Sequence, residues 1–213
     1  MPSDDYKSRS NASKPVKPTP SQHSARGKSG DTLQIGNVTY DVLERLSLPS
    51  RGRWKVRDRR PHPKGTLYTV IDVEETAESI QLKGCLAKLT KDCSGIPSLK
   101  DFQRKDGRLQ MLVSWSHGTD LDMYFKRVVN GKSLPPSVWE SIRRIRSLSH
   151  LTGILHRNCR IVHGDIKPAN LVLPSEPGSI AIIDFGSSWQ IERTRGREIG
   201  DGSDQHYSAP EVF

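Results

Sequence analysis

The chain begins without a hydrophobic pattern and acquires one only beyond residue 31. Residues 1–31 are rich in Ser, Lys, Pro and Gly, with almost no apolar side chain beyond Val16. Such a segment cannot bury enough apolar surface to offset its conformational entropy, so we predict a disordered basic tail. From Val38 the pattern changes to that of strands: residues 38–46 form one segment, and residues 53–57 alternate between cations and apolar side chains.

A second pattern, with the period of a helix, begins after Pro135-Pro136. Ser137 and Glu140 have the spacing of a capping box, in which two side chains satisfy backbone N–H groups at the start of a helix. Apolar side chains then recur at helical spacing, so we predict an amphipathic helix that runs to about His156 and buries one stripe. The stripe consists of Val138, Ile142, Ile145, Leu148, Leu151 and Leu155.

A β-hairpin is predicted after this helix, with polar side chains at its ends. Residues 171–173 and 180–183 are short apolar runs separated by a turn that contains Pro and Gly. Asn170 precedes the first run and Asp184 follows the second, so the hairpin holds both at one end. Amide and carboxylate oxygens are hard ligands that suit Mg²⁺, and both residues are therefore candidate metal ligands.

Asp165 and Lys167 lie just before this hairpin and carry opposite charges. A carboxylate such as Asp165 can accept a hydroxyl proton, and the ammonium group of Lys167 can neutralise a transferring phosphoryl group. An acid, a cation and two metal ligands at this spacing indicate phosphate-transfer chemistry.

The charge balance and the cysteines narrow the class of protein. The 213 residues carry a net charge of +9, but no aromatic-interleaved basic repeat or zinc-finger spacing is present, so nucleic acid is not the expected partner. The three cysteines are odd in number and lack a C-x-x-C pair, as is typical of reduced thiols in the cytoplasm. Because no apolar run has the length of a membrane span, we expect a cytoplasmic protein.

Three motifs resemble those of the eukaryotic-like Ser/Thr protein kinases. The H-x-D-x-K-P-x-N catalytic loop, D-F-G and A-P-E occur here in the family's order. The Lys-Pro pair is typical of protein kinases rather than of small-molecule phosphotransferases, many of which share His-Gly-Asp. The matching residues are His163, Asp165, Lys167, Pro168 and Asn170 for the first motif, Asp184 to Gly186 for the second, and Ala209 to Glu211 for the third.

The resemblance implies an α+β, bilobal, protein-kinase-like fold. Residues 1–31 are then the tail, residues 32–116 a β-rich N-lobe with the hinge, and residues 117–213 a partial, mainly α-helical C-lobe. The N-lobe is expected to hold a five-stranded sheet and one helix. The expected strands are residues 38–46, 53–57 and 67–73, a strand at Phe102 and residues 109–113, and the expected helix is residues 77–89.

The same resemblance assigns roles to individual residues, with ATP and Mg²⁺ as cofactors and a protein as substrate. Asp165, Lys167 and Asn170 correspond to catalytic residues, and Asn170 and Asp184 to the magnesium ligands. Trp54 has two interpretations that the sequence leaves open, packing over adenine and packing in the core. The nucleotide-binding positions are Gly52, Trp54, Val113 as gatekeeper, Trp115, Ser116, Lys167 and Asp184.

The small lobe departs from the family's pattern at the positions that hold phosphate. The glycine-rich loop keeps Gly52 but has Ser47 and Pro49 in place of its other two glycines. The strand lysine is expected at Asp72 and the helix glutamate near Lys83, as if the ion pair had exchanged signs. A carboxylate facing the triphosphate at about 4 Å would repel it by roughly 4 kcal/mol at an effective dielectric near 20. Either Asp72 and Lys83 still join strand to helix, or Lys83 reaches the phosphates in place of the lost lysine.

A row of cations follows the second expected strand. Alternation places them on one face, with Trp54 and Val56 on the other. Such a face is usually solvated, and anion binding is the alternative. The cations are Arg51, Arg53, Lys55, Arg57 and Arg59.

Three functions remain open. The first is an ATP-dependent protein serine/threonine kinase, the second a pseudokinase that acts as a binding or regulatory module, and the third a small-molecule phosphotransferase. The chain stops just past A-P-E, where the family continues with further helices. We therefore expect a fragment of a longer protein, a subunit completed by a partner chain, or a poorly stable domain.

Overall fold

The computed structural model describes residues 30–46, 52–60, 65–89 and 93–191. Almost all of the predicted tail, together with Ser47, Pro49 and the Ala209 to Glu211 motif, lies outside these residues. The strands are β1 (Thr32–Ile35), β2 (Val38–Arg45), β3 (Gly52–Asp58), β4 (Leu67–Glu74), β5 (Leu99–Lys105), β6 (Arg108–Ser114), β7 (Thr119–Asp120), β8 (Ile161–Val162), β9 (Leu171–Leu173), β10 (Ala181–Ile182) and β11 (Trp189–Gln190). The helices are α1 (Ala77–Lys88), α2 (Leu121–Val129) and α3 (Val138–Ile154).

Six antiparallel strands form the sheet of the N-terminal lobe, or upper lobe, in the order β1-β2-β3-β4-β6-β5. Five strands were expected from the sequence. The additional strand is β1, whose four residues alternate too briefly to stand out beside the polar tail. The sheet curls until its two edges meet at Gln103 of β5. The Gln103 side chain accepts a hydrogen bond from the Gly36 N–H at 2.9 Å and donates one to the Gln34 carbonyl at 2.8 Å.

The pleat of the sheet separates an outer face from an inner face. Trp54, Val56 and Val70 are almost fully buried in an apolar cluster on the outer face. The intervening side chains of β3 and β4 therefore point to the inner face, toward the C-terminal lobe, or lower lobe, which follows residue 117. Arg53 of β3 and Ile71 of β4 are two of these, and the strand register places them directly opposite each other.

Helix α1 lies against the inner face and begins with a capping box that was not predicted. The Thr76 hydroxyl accepts a hydrogen bond from the Ser79 N–H, and the Ser79 hydroxyl accepts one from the Thr76 N–H. The buried face of α1 joins residues of the lower lobe in one core, so the helix is fixed relative to the D-F-G segment. This core includes Leu82, Leu86, Leu155, Ile161 and Phe185.

The lower lobe confirms two local predictions. Helix α3 starts with the capping box of Ser137 and Glu140 and continues beyond Ile154 into a π-helical turn that ends at Cys159. Strands β9 and β10 pair antiparallel and form the predicted hairpin. The motif residues at its ends are therefore held by regular backbone structure.

The apolar side chains in the first turns of α3 are exposed, whereas the sequence predicted that they would be buried. Val138, Ile142 and Ile145 are 74%, 48% and 65% exposed, whereas Leu151 and Leu155 are buried. Helical spacing predicts which residues share a face, but it does not predict whether that face meets another element. No helix in the described ranges has both the length and the apolar character needed to cross a membrane.

Candidate active site

A cleft of about 440 Å³ lies between the inner face of the sheet and the β9–β10 hairpin. The end of β6 and the segment that follows it line one end, where the predicted gatekeeper Val113 and the predicted hinge residues Trp115 and Ser116 all contribute. Ile71 contributes from the sheet, and Val172 contributes from the hairpin. Apolar walls beside a segment of irregular backbone suit a planar heterocyclic ligand.

Asp165, Lys167 and Asn170 form a hydrogen-bonded group at the turn before β9. The Asn170 amide Nδ2 donates to the backbone carbonyl and to the carboxylate of Asp165, both at 2.9 Å. Lys167 Nζ lies 3.1 Å from Oδ2 of the same carboxylate. Asp165 is thus held in one orientation, and the amide oxygen of Asn170 is the atom that remains to bind a cation.

His163 positions this loop and does not face the reacting side. Its Nε2 lies 2.9 Å from the Ile183 carbonyl oxygen, and its Nδ1 accepts a hydrogen bond from the Asp165 N–H at 3.2 Å. The imidazole packs edge-on against the Phe185 ring, with 4.7 Å between ring centres. Burial lowers the pKa of His163 and outweighs the Ile183 carbonyl, which raises it, so the neutral ring serves both backbone groups.

Asp184 has strained backbone geometry and an ion pair with Arg53. Its φ of 62° and ψ of 78° lie in the left-handed region, which residues other than glycine seldom adopt. Its carboxylate accepts a hydrogen bond from the Gly186 N–H at 3.2 Å. Both carboxylate oxygens also accept hydrogen bonds from the Arg53 guanidinium, at 2.5 Å and 2.7 Å.

The Arg53 guanidinium keeps the Asp184 carboxyl ionised. Burial by itself would raise the pKa of Asp184, but the hydrogen bonds and charge of Arg53 outweigh burial and lower it. A bidentate guanidinium–carboxylate pair is a strong, geometrically specific interaction. The inner face of β3 is therefore tied to the D-F-G segment across the cleft.

The oxygen donors at this end of the cleft are of the chemical type that Mg²⁺ prefers. Asn170 and Asp184 line the same cavity and offer an amide oxygen and a carboxylate. In the part of the chain that the structure describes, no group of three or more His, Cys, Asp or Glu side chains could hold a metal. A magnesium ion here would complete its octahedral coordination with water or with oxygens of a bound molecule, such as phosphate oxygens. While Arg53 holds both oxygens of Asp184, that carboxylate is occupied.

Trp54 and Gly52 do not line the cleft. Trp54 is 2% exposed and lies in the outer cluster of the sheet, so the structure supports core packing over adenine stacking for this residue. Gly52 shares that face, and a Cβ atom there would lie 2.6 Å from the Trp54 ring. The absence of a side chain at Gly52 is thus explained by the packing of Trp54.

The pleat of β4 also corrects the expectation for the strand lysine. The Asp72 side chain points away from the cleft, is buried, and accepts hydrogen bonds from Arg108 Nε at 2.7 Å and Gln110 Nε2 at 3.0 Å. Lys83 lies against Phe102, with its Nζ 3.7 Å from the ring centre. The expected ion pair between Asp72 and Lys83 is therefore not formed, and Lys83 does not face the cleft.

Two apolar side chains enter the space where the family's lysine and glutamate would meet. Ile71, the residue before Asp72, and Leu82, the residue before Lys83, both line a second cavity of about 620 Å³ beside Asp184. The strand assignment was therefore one position too far along the chain, and on α1 the side chains that line this cavity include Glu78 and Leu82 but not Lys83. Asp72, the carboxylate that was expected to face the triphosphate, does not line this cavity.

Arg53 lies in the site, although the sequence distinguished it only as one member of the cation row along the second expected strand. It lines both cavities. The signal was present in the alternating cations of β3, but the sequence could not show that their face is the inner one. Lys55, two residues on, lies on the same face, with its Nζ 4.5 Å from the centre of the Trp115 ring.

Replacing Asp72 with alanine is expected to lower the free energy of unfolding by about 2–4 kcal/mol. The substitution leaves Arg108 and Gln110 without their acceptor in a buried setting, and the partial exposure of Arg108, 31%, moderates the loss. Urea unfolding followed by circular dichroism measures the change. The matched control is Asp122→Ala, which breaks a solvent-exposed pair with Lys126 and should cost less than about 1 kcal/mol. Equal losses in the two variants would show that the Asp72 network is not structurally important.

Comparison with known proteins agrees with this geometry. The family model of the protein kinase domain matches residues 73–213. The structure is similar to the crystal structure of the BubR1 kinase domain, with a TM-score of 0.62 at 16% sequence identity, over 80% of this chain and 53% of that one. At this identity the structural likeness supports the fold alone.

Similar curated proteins include kinases and a myosin from three organisms. The chain is 40% identical over 113 residues to Protein kinase 2 of Dictyostelium discoideum and 39% identical over 80 residues to Mitogen-activated protein kinase kinase 5 of Leishmania mexicana. It is 26% identical over 183 residues to Myosin-IIIb of Mus musculus. These alignments cover 53%, 38% and 82% of this chain, but only 22%, 15% and 14% of the respective relatives.

The family match covers more than half of the chain, and the curled antiparallel sheet above a motif-bearing hairpin is the arrangement expected of that family. This chain is therefore a member of the protein kinase family, with a kinase-like bilobal fold.

Proposed function

We propose that this chain binds Mg-ATP and transfers the γ-phosphoryl group to a serine or threonine hydroxyl of a protein substrate in the cytoplasm. The observation that carries the proposal is the convergence of Asp165, Asn170 and Asp184 on adjoining cavities below the sheet. The apolar end of the cleft, at Val113 and Trp115, supplies a place for adenine. The charged end would then receive the phosphates.

Asp165 is the residue that would receive the substrate's proton. Asn170 fixes its carboxylate, so one oxygen can accept a hydrogen bond from an incoming hydroxyl and draw the proton as the oxygen attacks. Lys167, at 3.1 Å from the same carboxylate, is close enough to neutralise charge on the transferring group. Magnesium, when bound through Asn170 and Asp184, would shield the charge of the phosphate oxygens.

A pseudokinase is the second candidate, and the occupied Asp184 favours it. The Arg53 guanidinium holds both carboxylate oxygens that a metal would use. Ile71 and Leu82, which line the neighbouring cavity, are apolar and cannot form an ion pair with each other. A protein in which this state persisted would bind nucleotide weakly or without metal, and would act by binding other proteins.

One experiment separates the two candidates. The purified full chain is titrated with ATP and Mg²⁺ while its thermal unfolding is followed, and transfer of labelled γ-phosphate to a mixture of generic protein substrates is measured in parallel. A ligand at 100 times its Kd should stabilise the protein by about 2.7 kcal/mol. Stabilisation with phosphoserine or phosphothreonine formation supports the kinase, and stabilisation without transfer supports the pseudokinase. If the protein shows neither stabilisation nor phosphate transfer, the result contradicts nucleotide binding in this cleft.

A further inference from the structure

The inner face of the sheet carries a cation in a place where the family's pattern does not put one. Ile71 occupies the inner-face position on β4, and Leu82 faces it from α1, so neither supplies a charge. Arg53 is the cross-strand partner of Ile71. Because directly opposed residues in an antiparallel pair lie about 5 Å apart at Cα, the positive charge is displaced by only one strand.

The cations around the second cavity differ in what holds them. Among the described residues that line it, Lys167 pairs with Asp165, and Arg108 pairs with the buried Asp72 on the outer face. Arg53 instead extends from the sheet to Asp184, the carboxylate that would bind magnesium. Arg53 is thus the cation whose present partner must change if a metal is to bind at Asp184.

A phosphate chain offers the guanidinium an equivalent partner. Guanidinium groups bind carboxylates and phosphates with the same bidentate geometry, so exchanging one for the other preserves two charge-assisted hydrogen bonds. The exchange also frees both oxygens of Asp184 at the moment when a cation arrives with the nucleotide. Phosphate binding by Arg53 and metal binding by Asp184 would therefore support each other.

We propose that Arg53 takes the role of the absent strand lysine. In the nucleotide-free protein its guanidinium holds Asp184, and on binding of Mg-ATP it turns to the phosphate oxygens and releases Asp184 to the metal. This inference rests on the proposed nucleotide binding and adds the residue that contacts the phosphates. Arg53 is then a binding residue from β3, and its pair with Asp184 is the resting state of the site.

The test compares ligands with and without phosphates in matched variants. Isothermal titration calorimetry measures the Kd of ATP with Mg²⁺ and of adenosine for the wild type, Arg53→Met and Arg57→Met. Arg57 lies on the same strand, is half exposed and is 3.8 Å from Asp41, so it serves as the control. We expect Arg53→Met to weaken ATP binding by about tenfold or more, with adenosine binding unchanged and Arg57→Met equal to the wild type.

A second variant restores the charge from the neighbouring strand. Ile71→Lys in the Arg53→Met background places an ammonium group opposite the lost guanidinium, and we expect it to recover most of the ATP affinity. Retained adenosine binding shows that the variant cleft is folded.

The outcomes distinguish this inference from the proposal on which it rests. Equal or tighter ATP binding by Arg53→Met, beside normal adenosine binding, overturns the inference alone, because Arg53 would then only block the site. A wild type that binds neither adenosine nor ATP overturns the proposed function, and the inference with it. Failure of Ile71→Lys to recover affinity also counts against a phosphate-binding cation at this position.

Discussion

Replacing Asp165 with asparagine is expected to reduce phosphoryl transfer by about 10²–10⁴-fold, the usual contribution of a general base. The amide cannot accept the hydroxyl proton, although it keeps the size of the carboxylate and can still contact Asn170. The affinity for ATP should change little, because Asp165 is not assigned to the metal or to adenine. Initial rates of γ-phosphate transfer, together with the Kd of ATP, measure the two effects separately.

The control for this variant is Asp122→Asn on the exposed surface of α2. It also converts an aspartate paired with a lysine, here Lys126 at 2.6 Å, but it lies outside both cavities. Its transfer rate should equal that of the wild type. An Asp165→Asn protein that transfers phosphate as fast as the control would exclude Asp165 as the base.

Replacing Gly118 with alanine is expected to lower the free energy of unfolding by about 2–6 kcal/mol, from backbone strain and overpacking together. Gly118 has φ of 142°, a conformation that L side chains rarely adopt. A Cβ atom there would overlap the carbonyl oxygen of Leu173 and lie 2.8 Å from Cγ1 of Val172. The clash falls where the chain passes from the hinge into β7, so relief would require separating β7 from β9.

Gly131→Ala separates the two causes of this loss. Gly131 also has a positive φ, 67°, but a Cβ atom there meets nothing within 4 Å, so only the conformational cost of about 1–2 kcal/mol applies. Urea unfolding of the two variants measures the difference. A Gly118→Ala protein as stable as Gly131→Ala would show that the close contact with Leu173 is not present in solution.

Local signals in the sequence predicted local structure well. The capping box of Ser137 and Glu140 and the hairpin of β9 and β10 each depend on residues close together in the sequence, and both are present. The short strand β1 was missed, because its four residues become a strand only by pairing with β2 and by the contact of Gln103 with Gly36. Such long-range pairing leaves little trace in a local pattern.

The same difference between local signals and long-range contacts applies to the candidate site. Asp165, Asn170 and Asp184 are brought together by a short loop and one hairpin, so their spacing was sufficient to predict a common site. The part of the site that the sheet contributes depends on which face of each strand meets the lower lobe. A shift of one residue along a strand moves every side chain to the opposite face. That shift is why Asp72 was assigned to the cleft in place of Ile71. No local signal could reveal that Arg53 reaches a carboxylate 131 positions away in the sequence.

We expect one cleft to hold adenine at the hinge and the phosphates between the β3 cation and the catalytic loop. A crystal structure of the chain with a non-hydrolysable ATP analogue and Mg²⁺ tests it most directly. We expect adenine beside Val113 and Trp115, the metal on Asn170 and Asp184, and the Arg53 guanidinium on phosphate oxygens. An analogue bound elsewhere, or an intact Arg53–Asp184 pair with the phosphates directed away from it, would contradict the account.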